Sequence, residues 1–393
     1  YVQRCVFWGP SDVYDYQKFP QRMIQAGSEP FFFRQGSAED EARVRSMLES
    51  TLRIDDLDCS LEAAGTQAFI VIQNDTILYE RYFNGARRES IVTSFSMAKS
   101  FTSALVGIAL AEGHIESVDD PVTKYIPELA ARDERFSNIT LRYLLMMSSG
   151  LRFTSEDYPI YLDDMFSDNV LTYYYPDLRE LALENTQIVE PPGLHFLYND
   201  YNPQILGMVL ERTTGQNVSY YLQEKIWKPI GMEYDGSWSM DSQESGFERM
   251  ESGINARAID FAKFGRLYLY NGSWNGRQVR LAGTSICSMS GWRPCRVSRA
   301  KMERTRWSCM ARLANLNAWA AAGSASSTLI PARMRSNAAR QLASAPAATS
   351  AAARARTRTS EDVGTLRTSN TPASTLTVRN SANPRNNPFF LIS

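Results

Sequence analysis

All nineteen tyrosines of this 393-residue chain lie at or before Tyr270, and its acidic residues thin out just as abruptly. Residues 1–279 carry 25 Lys and Arg against 40 Asp and Glu, a balance of −15; residues 280–393 carry 17 against 3, a balance of +14. The formal net charge of −1 hides this break. The length suffices for one large domain or two ordinary ones. The two compositions point to a folded part that stops near Val279.

Beyond that point the chain reads "SASSTLIPARMRSNAARQLASAPAATSAAARARTRTS", with no sustained helical or strand period. Such a segment buries too little apolar surface to offset chain entropy, so one reading is disorder or irregular packing. Another is a shift of coding frame just after "GSWNGRQV" that replaced the true C-terminus. A nucleic-acid-binding tail fits less well, because no stacking aromatics interleave the arginines. Three segments follow: an N-terminal extension over 1–64, a C-terminally incomplete catalytic domain over 65–282, and a basic low-complexity tail over 283–393.

Local signals organise the folded part. "SAEDEARVRSMLESTLR" reads as an amphipathic helix with an acidic first turn, and the aromatic-rich "FWGPSDVYDYQKFPQR" before it as an extended entry. "QAFIVIQNDTILYERYFNG" reads as a hairpin turning at Asn74-Asp75. Apolar helical periods follow at Ser94–Glu112, "ITLRYLLMMSSGL", "PQILGMVLERTTG", "YYLQEKIWKPIGM" and "NARAIDFAKFGRLYLYNG". Residues 152–190, rich in Asp, Tyr and Leu, suggest short helices around a cleft. Strands first, then a helical block, define an α+β fold.

Within "TSFSMAKSFTSALVGIALAEG", Ser96 stands three residues before Lys99 at the mouth of the apolar helix. Residues i and i+3 share a helix face, so the hydroxyl lies beside the amine. A serine becomes a useful nucleophile when a neighbouring base takes its proton. Burial and the positive end of the helix dipole both favour a neutral, basic amine at Lys99. A second match to the spacing, Ser298 to Lys301, has no such helix around it. In "PPGLHFLYNDYNPQILGMVLERTTG", Tyr198 and Asp200 precede another helix, and a phenol near an amine can pass a proton.

These stretches, with "DDPVTKYIPEL" and "MESGINARAIDFAKFGRLYLYNG", resemble in order the serine β-lactamase-related hydrolases over roughly residues 65–279. That group includes class C β-lactamases, D-alanyl-D-alanine carboxypeptidases, esterases and 6-aminohexanoate-dimer hydrolases. The resemblance implies a β-lactamase/transpeptidase-like fold: an antiparallel sheet flanked by helices, plus a mostly helical subdomain. It implies Ser96 as the acylated nucleophile, Lys99 as its base and Tyr198 as the proton shuttle of a Tyr-x-Asn motif. It also implies a location outside the cytoplasm, and an export signal or membrane anchor upstream of Tyr1 is expected.

Two departures stand out. Asp200 occupies the place of the motif's Asn, as a substrate-binding or supporting residue. No Lys-Thr-Gly or His-x-Gly triplet, the family's late-strand cleft wall and second oxyanion donor, occurs after residue 279. The C-terminal strands that complete the sheet therefore look missing. The expected function is hydrolysis of a small ester, amide or peptide-like substrate through an acyl-enzyme on Ser96; a non-catalytic binding or scaffolding protein of the same fold is the alternative. No cofactor, metal or nucleic acid is implied: His114 and His195 are the only histidines, and the five cysteines show no Cys-x-x-Cys. No Gly-x-Ser-x-Gly elbow is present, and no apolar run reaches the roughly 18 residues of a membrane span.

Overall fold

In a computed structural model the residues described are 1–154 and 166–279, with the backbone of 376–378 and 389–392. The chain opens with α1 (Val2–Trp8), a 3-10 turn at Asp15–Gln17, β1 (Gln21–Ile24) and β2 (Arg34–Gln35). The aromatic entry expected to be extended thus holds a helical turn before its strand. Helix α2 (Ala38–Leu52) starts where its acidic first turn predicts. Ser37 and Asp40 form a reciprocal capping box there, satisfying two helix-start N–H groups. A short α3 (Leu57–Ala63) follows.

The hairpin forms as expected. β3 (Ala68–Gln73) and β4 (Thr76–Tyr82) pair antiparallel across Asn74 and Asp75, both left-handed at φ 51° and 60°. That conformation matches the right-handed twist of the flanking strands, and Asn and Asp tolerate it. Both faces of β3 are covered. Ile70 and Ile72 enter the main core, while Phe69 and Val71 join Val44 and Leu48 of α2 in a smaller one.

β5 (Val92–Thr93) leads through a 3-10 turn at Phe95–Met97 into α4 (Ala98–Ala111), the helix foreseen at Ser94–Glu112. Eleven of its fourteen residues are buried, so it is an all-round core helix rather than a surface one. Next come α5 (Pro127–Arg132), α6 (Leu141–Leu145), α7 (Asp168–Tyr174), α8 (Leu178–Glu184), α9 (Tyr201–Thr214) and α10 (Val218–Leu222). β6 (Gly236–Ser239), β7 (Ile254–Ala256), α11 (Ala258–Leu269) and a small hairpin of β8 (Ser273–Trp274) and β9 (Arg277–Gln278) complete this part. α4 packs on α9 and is also held from the α11 side, where the rings of Phe101 and Phe264 stack at 3.5 Å.

The strands form two principal sheets. One runs β1-β6-β7-β5, so the N-terminal extension supplies its edge. The other takes two strands from the far C-terminus, β10 (Leu376–Val378) and β11 (Phe389–Ile392), in the order β10-β11-β3-β4-β2. This corrects the expectation that the tail supplies no strand. β11 pairs antiparallel with β3 from Phe389 opposite Gln73 to Ile392 opposite Ile70. The terminal "FFLI" run, apolar unlike the Ala- and Arg-rich stretch before it, carries that pairing. The disorder and frame-shift readings fall on residues outside those described.

Candidate active site

The start of α4 is pinned by a strand. The Ser94 N–H donates to the Ile254 carbonyl of β7 at 2.6 Å, and the Thr93 and Ser94 hydroxyls both reach the Ser252 carbonyl. Between this anchor and the helix, Phe95 is held at φ 43°, a conformation that a bulky side chain rarely adopts. Such strain persists where the surroundings over-determine it, and here it presents Ser96, half-buried, at the helix mouth.

Lys99 sits one turn further in and is 2% exposed. Its Nζ donates to Ser96 Oγ at 3.1 Å and to the Glu251 carbonyl at 2.9 Å. It also pairs with Asp200 Oδ1 at 2.8 Å, and lies 4.9 Å from the centre of the Tyr198 ring. The structure thus brings together all four residues singled out in the sequence. It corrects the charge expected of one. Burial pulls the Lys99 pKa down, but the Asp200 carboxylate and Tyr198 outweigh it and hold the amine above the ordinary lysine value. The balance of these effects favours the ammonium form of Lys99.

Tyr198 and Asp200 come from the loop entering α9, which is tied down from below. The Leu197 N–H donates to the Met147 carbonyl at 2.8 Å, and Ser149 Oγ donates to Asn202 at 2.8 Å. Gly150 lets the two loops meet: its φ is 75°, and a Cβ there would stand 2.2 Å from the Glu190 carbonyl. Buried Asn199 closes the turn, accepting from the Tyr201 N–H at 2.9 Å.

Sequence reasoning missed three contributors. Glu251 and Ser252 line the cavity beside Ser96 and Lys99, and so does Ser11 from the N-terminal extension. Glu251 is held by Arg249 at 3.0 Å, both side chains being 2% exposed. The Arg249 guanidinium is sandwiched between the rings of Phe19 and Tyr173, at 3.8 and 4.1 Å. "MESGIN" was legible as part of an ordered resemblance, but nothing local in it shows that its carbonyl meets Lys99. Replacing Arg249 with Leu should destabilise the protein by about 3–5 kcal/mol, because it strands the Glu251 carboxylate inside. Urea denaturation measures this, and a loss under about 1 kcal/mol would mean that the pair is not structural.

Among the described residues no group of His, Cys, Asp and Glu is placed to hold a metal ion, and no helix is long and apolar enough to cross a membrane.

A buried helix carrying Ser-x-x-Lys at its mouth, packed between α9 and the α11 that covers the sheet, defines the β-lactamase and penicillin-binding-protein type of α+β fold. The family model described as Beta-lactamase matches residues 58–367, more than half of the chain, and the protein belongs to that family of hydrolases. The match extends past residue 279, where the resemblance read from the sequence stops. The chain is 28% identical over 241 residues to the 6-aminohexanoate-dimer hydrolase of Paenarthrobacter ureafaciens, covering 58% of each protein. It is 28% identical over 140 residues to a Beta-lactamase of Escherichia coli (strain K12), covering 35% of this chain and 33% of that one. It thus spans less than two thirds of these curated relatives. A solved structure titled "Putative 6-aminohexanoate-dimer hydrolase from Bacillus anthracis" is 25% identical with a TM-score of 0.56, covering 68% of this chain and 70% of that one.

Proposed function

We propose that the protein is a serine hydrolase that forms an acyl-enzyme on Ser96 and cleaves a small ester or amide. The observation that carries this reading is the Lys99 Nζ set between Ser96 Oγ at 3.1 Å and Asp200 Oδ1 at 2.8 Å. The resting pair is one proton transfer from a working base. When Nζ gives a proton to Asp200, its freed lone pair takes the Ser96 proton, and Oγ bonds to the substrate carbonyl carbon. The carbonyl π pair moves onto oxygen, where backbone N–H groups at the helix start stabilise it. Collapse breaks the bond to the leaving oxygen or nitrogen. That atom takes a proton back through Lys99 and the Tyr198 hydroxyl, so the side chains end as they began. Water then repeats the sequence on the acyl-enzyme.

Mass spectrometry after brief incubation with p-nitrophenyl acetate tests this. One acetyl group on the peptide containing Ser96, with a burst of p-nitrophenol, is the expected result. A folded protein that is stabilised by the ester analogue yet stays unlabelled at Ser96 would instead be a binding protein. Asp200 in place of Asn and the lack of a Lys-Thr-Gly triplet remove groups that would grip a β-lactam carboxylate, which favours esters and amides. The amide-type name of the Paenarthrobacter relative points the same way.

A further inference from the structure

Residues 1–20 of the N-terminal extension, which lie outside the range matched by the family model, reach the cavity that holds the nucleophile. Helix α1 buries Cys5 against Val170 and Tyr174 of α7. The chain then turns at Gly9, whose carbonyl accepts from the Tyr174 hydroxyl at 2.5 Å. Four residues later the Val13 carbonyl accepts from the Thr93 N–H at 3.1 Å, on the strand that feeds the Ser96 turn. Asp15 then accepts from the Tyr173 hydroxyl and pairs with Lys18 at 2.7 Å. Lys18 in turn donates to the Trp8 carbonyl at 2.8 Å, and the Trp8 and Phe19 rings meet edge to face at 4.8 Å. The segment is closed on itself and fastened at both sides of the cleft.

We infer that residues 1–20 are a strap that ties α7 to the nucleophile strand, and that Ser11 and the α7 side chains line a small subsite for a short acyl group. The inference rests on the reading of Ser96 as the acylated residue. The cavity that holds Ser96 and Lys99 is also lined by Ser11 and by Asn169, Val170, Tyr173 and Tyr174, with a volume of ≈ 70 Å³. At roughly 10–15 Å³ for each water-sized group, that is room for about five non-hydrogen atoms. An acetyl to butyryl group fits, whereas an octanoyl chain has to displace the strap. The wall is preorganised, because its anchors are hydrogen bonds and ring contacts within the protein itself, so a longer chain gains little by pushing it aside.

The test uses the full chain and p-nitrophenyl acetate, butyrate and octanoate, with kcat/KM for each. In the wild type kcat/KM should fall at least about tenfold from butyrate to octanoate, as a filled pocket discriminates among acyl lengths. Ser11→Phe fills the subsite and should lower the butyrate-to-acetate ratio by about tenfold. Trp8→Ala removes the ring that packs on Phe19 and closes the strap on itself, which loosens the strap and should shrink the octanoate penalty severalfold. The two variants move the profile in opposite directions, so the failure of either one to fold leaves the other decisive. Turnover of all three esters with an unchanged length profile in the folded variants would overturn the strap and leave the hydrolase reading standing. No turnover or labelling of the wild type by any ester would overturn both.

Discussion

Lys99→Met is expected to cut acylation of Ser96 by about a thousandfold or more while leaving the fold in place. Methionine keeps most of the length and all of the apolar stem, so the buried channel between α4 and the Glu251 segment stays filled. What disappears is the group that touches Ser96 Oγ, the Glu251 carbonyl and Asp200 at once. Without it the serine proton has no route to the carboxylate, and the Glu251 carbonyl loses its donor. The lost hydrogen bonds should cost roughly 1–3 kcal/mol of stability, which thermal melting separates from the catalytic loss. Stopped-flow release of p-nitrophenol measures the first turnover. The double variant with Ser96→Ala has no hydroxyl to acylate and should show neither burst nor label, which sets the background against which Lys99→Met is read. Retention of more than a tenth of the wild-type burst rate by Lys99→Met would show that some other group takes the proton.

What was legible in the sequence was local. The Asn74-Asp75 turn, the start of α2 and the period of α4 each depend on residues within a few positions of one another, and each formed where it was read. Ser96 and Lys99 belong to the same class, because one helical turn brings them together. The rest of the site is long-range. The Glu251 carbonyl reaches Lys99 across 152 residues of chain, and the Tyr173 hydroxyl reaches Asp15 across 158. No periodicity or cap encodes such meetings. The charge of Lys99 was misread for the same reason: burial is visible in an apolar run, but the carboxylate that reverses its effect arrives from another helix entrance. β11 escaped because four apolar residues at the end of a basic stretch become a strand only once β3 offers an edge.

Asp200→Asn should turn a nearly flat pH profile into a steep one. The neighbouring carboxylate holds Lys99 above its ordinary value, so a mechanism that waited for free amine would speed up about tenfold per unit across pH 6–9. The relay has no such dependence: Lys99 gives one proton and takes another, keeping its charge throughout, and the wild-type acylation rate should vary little over that range. Asparagine accepts no proton, so the relay stops, and at pH 6 the variant should acylate about a hundredfold more slowly. With the carboxylate gone, only Tyr198 still opposes burial, and the Lys99 pKa falls, so neutral amine builds up as the pH rises. The sign follows directly: the variant's rate should climb with pH and approach the wild type at the alkaline end. Pre-steady-state bursts of p-nitrophenyl acetate between pH 6 and 9 give both curves. A wild-type rate that itself climbs tenfold per unit, with an Asp200→Asn curve displaced to lower pH, would make Lys99 the sole base and Asp200 its restraint.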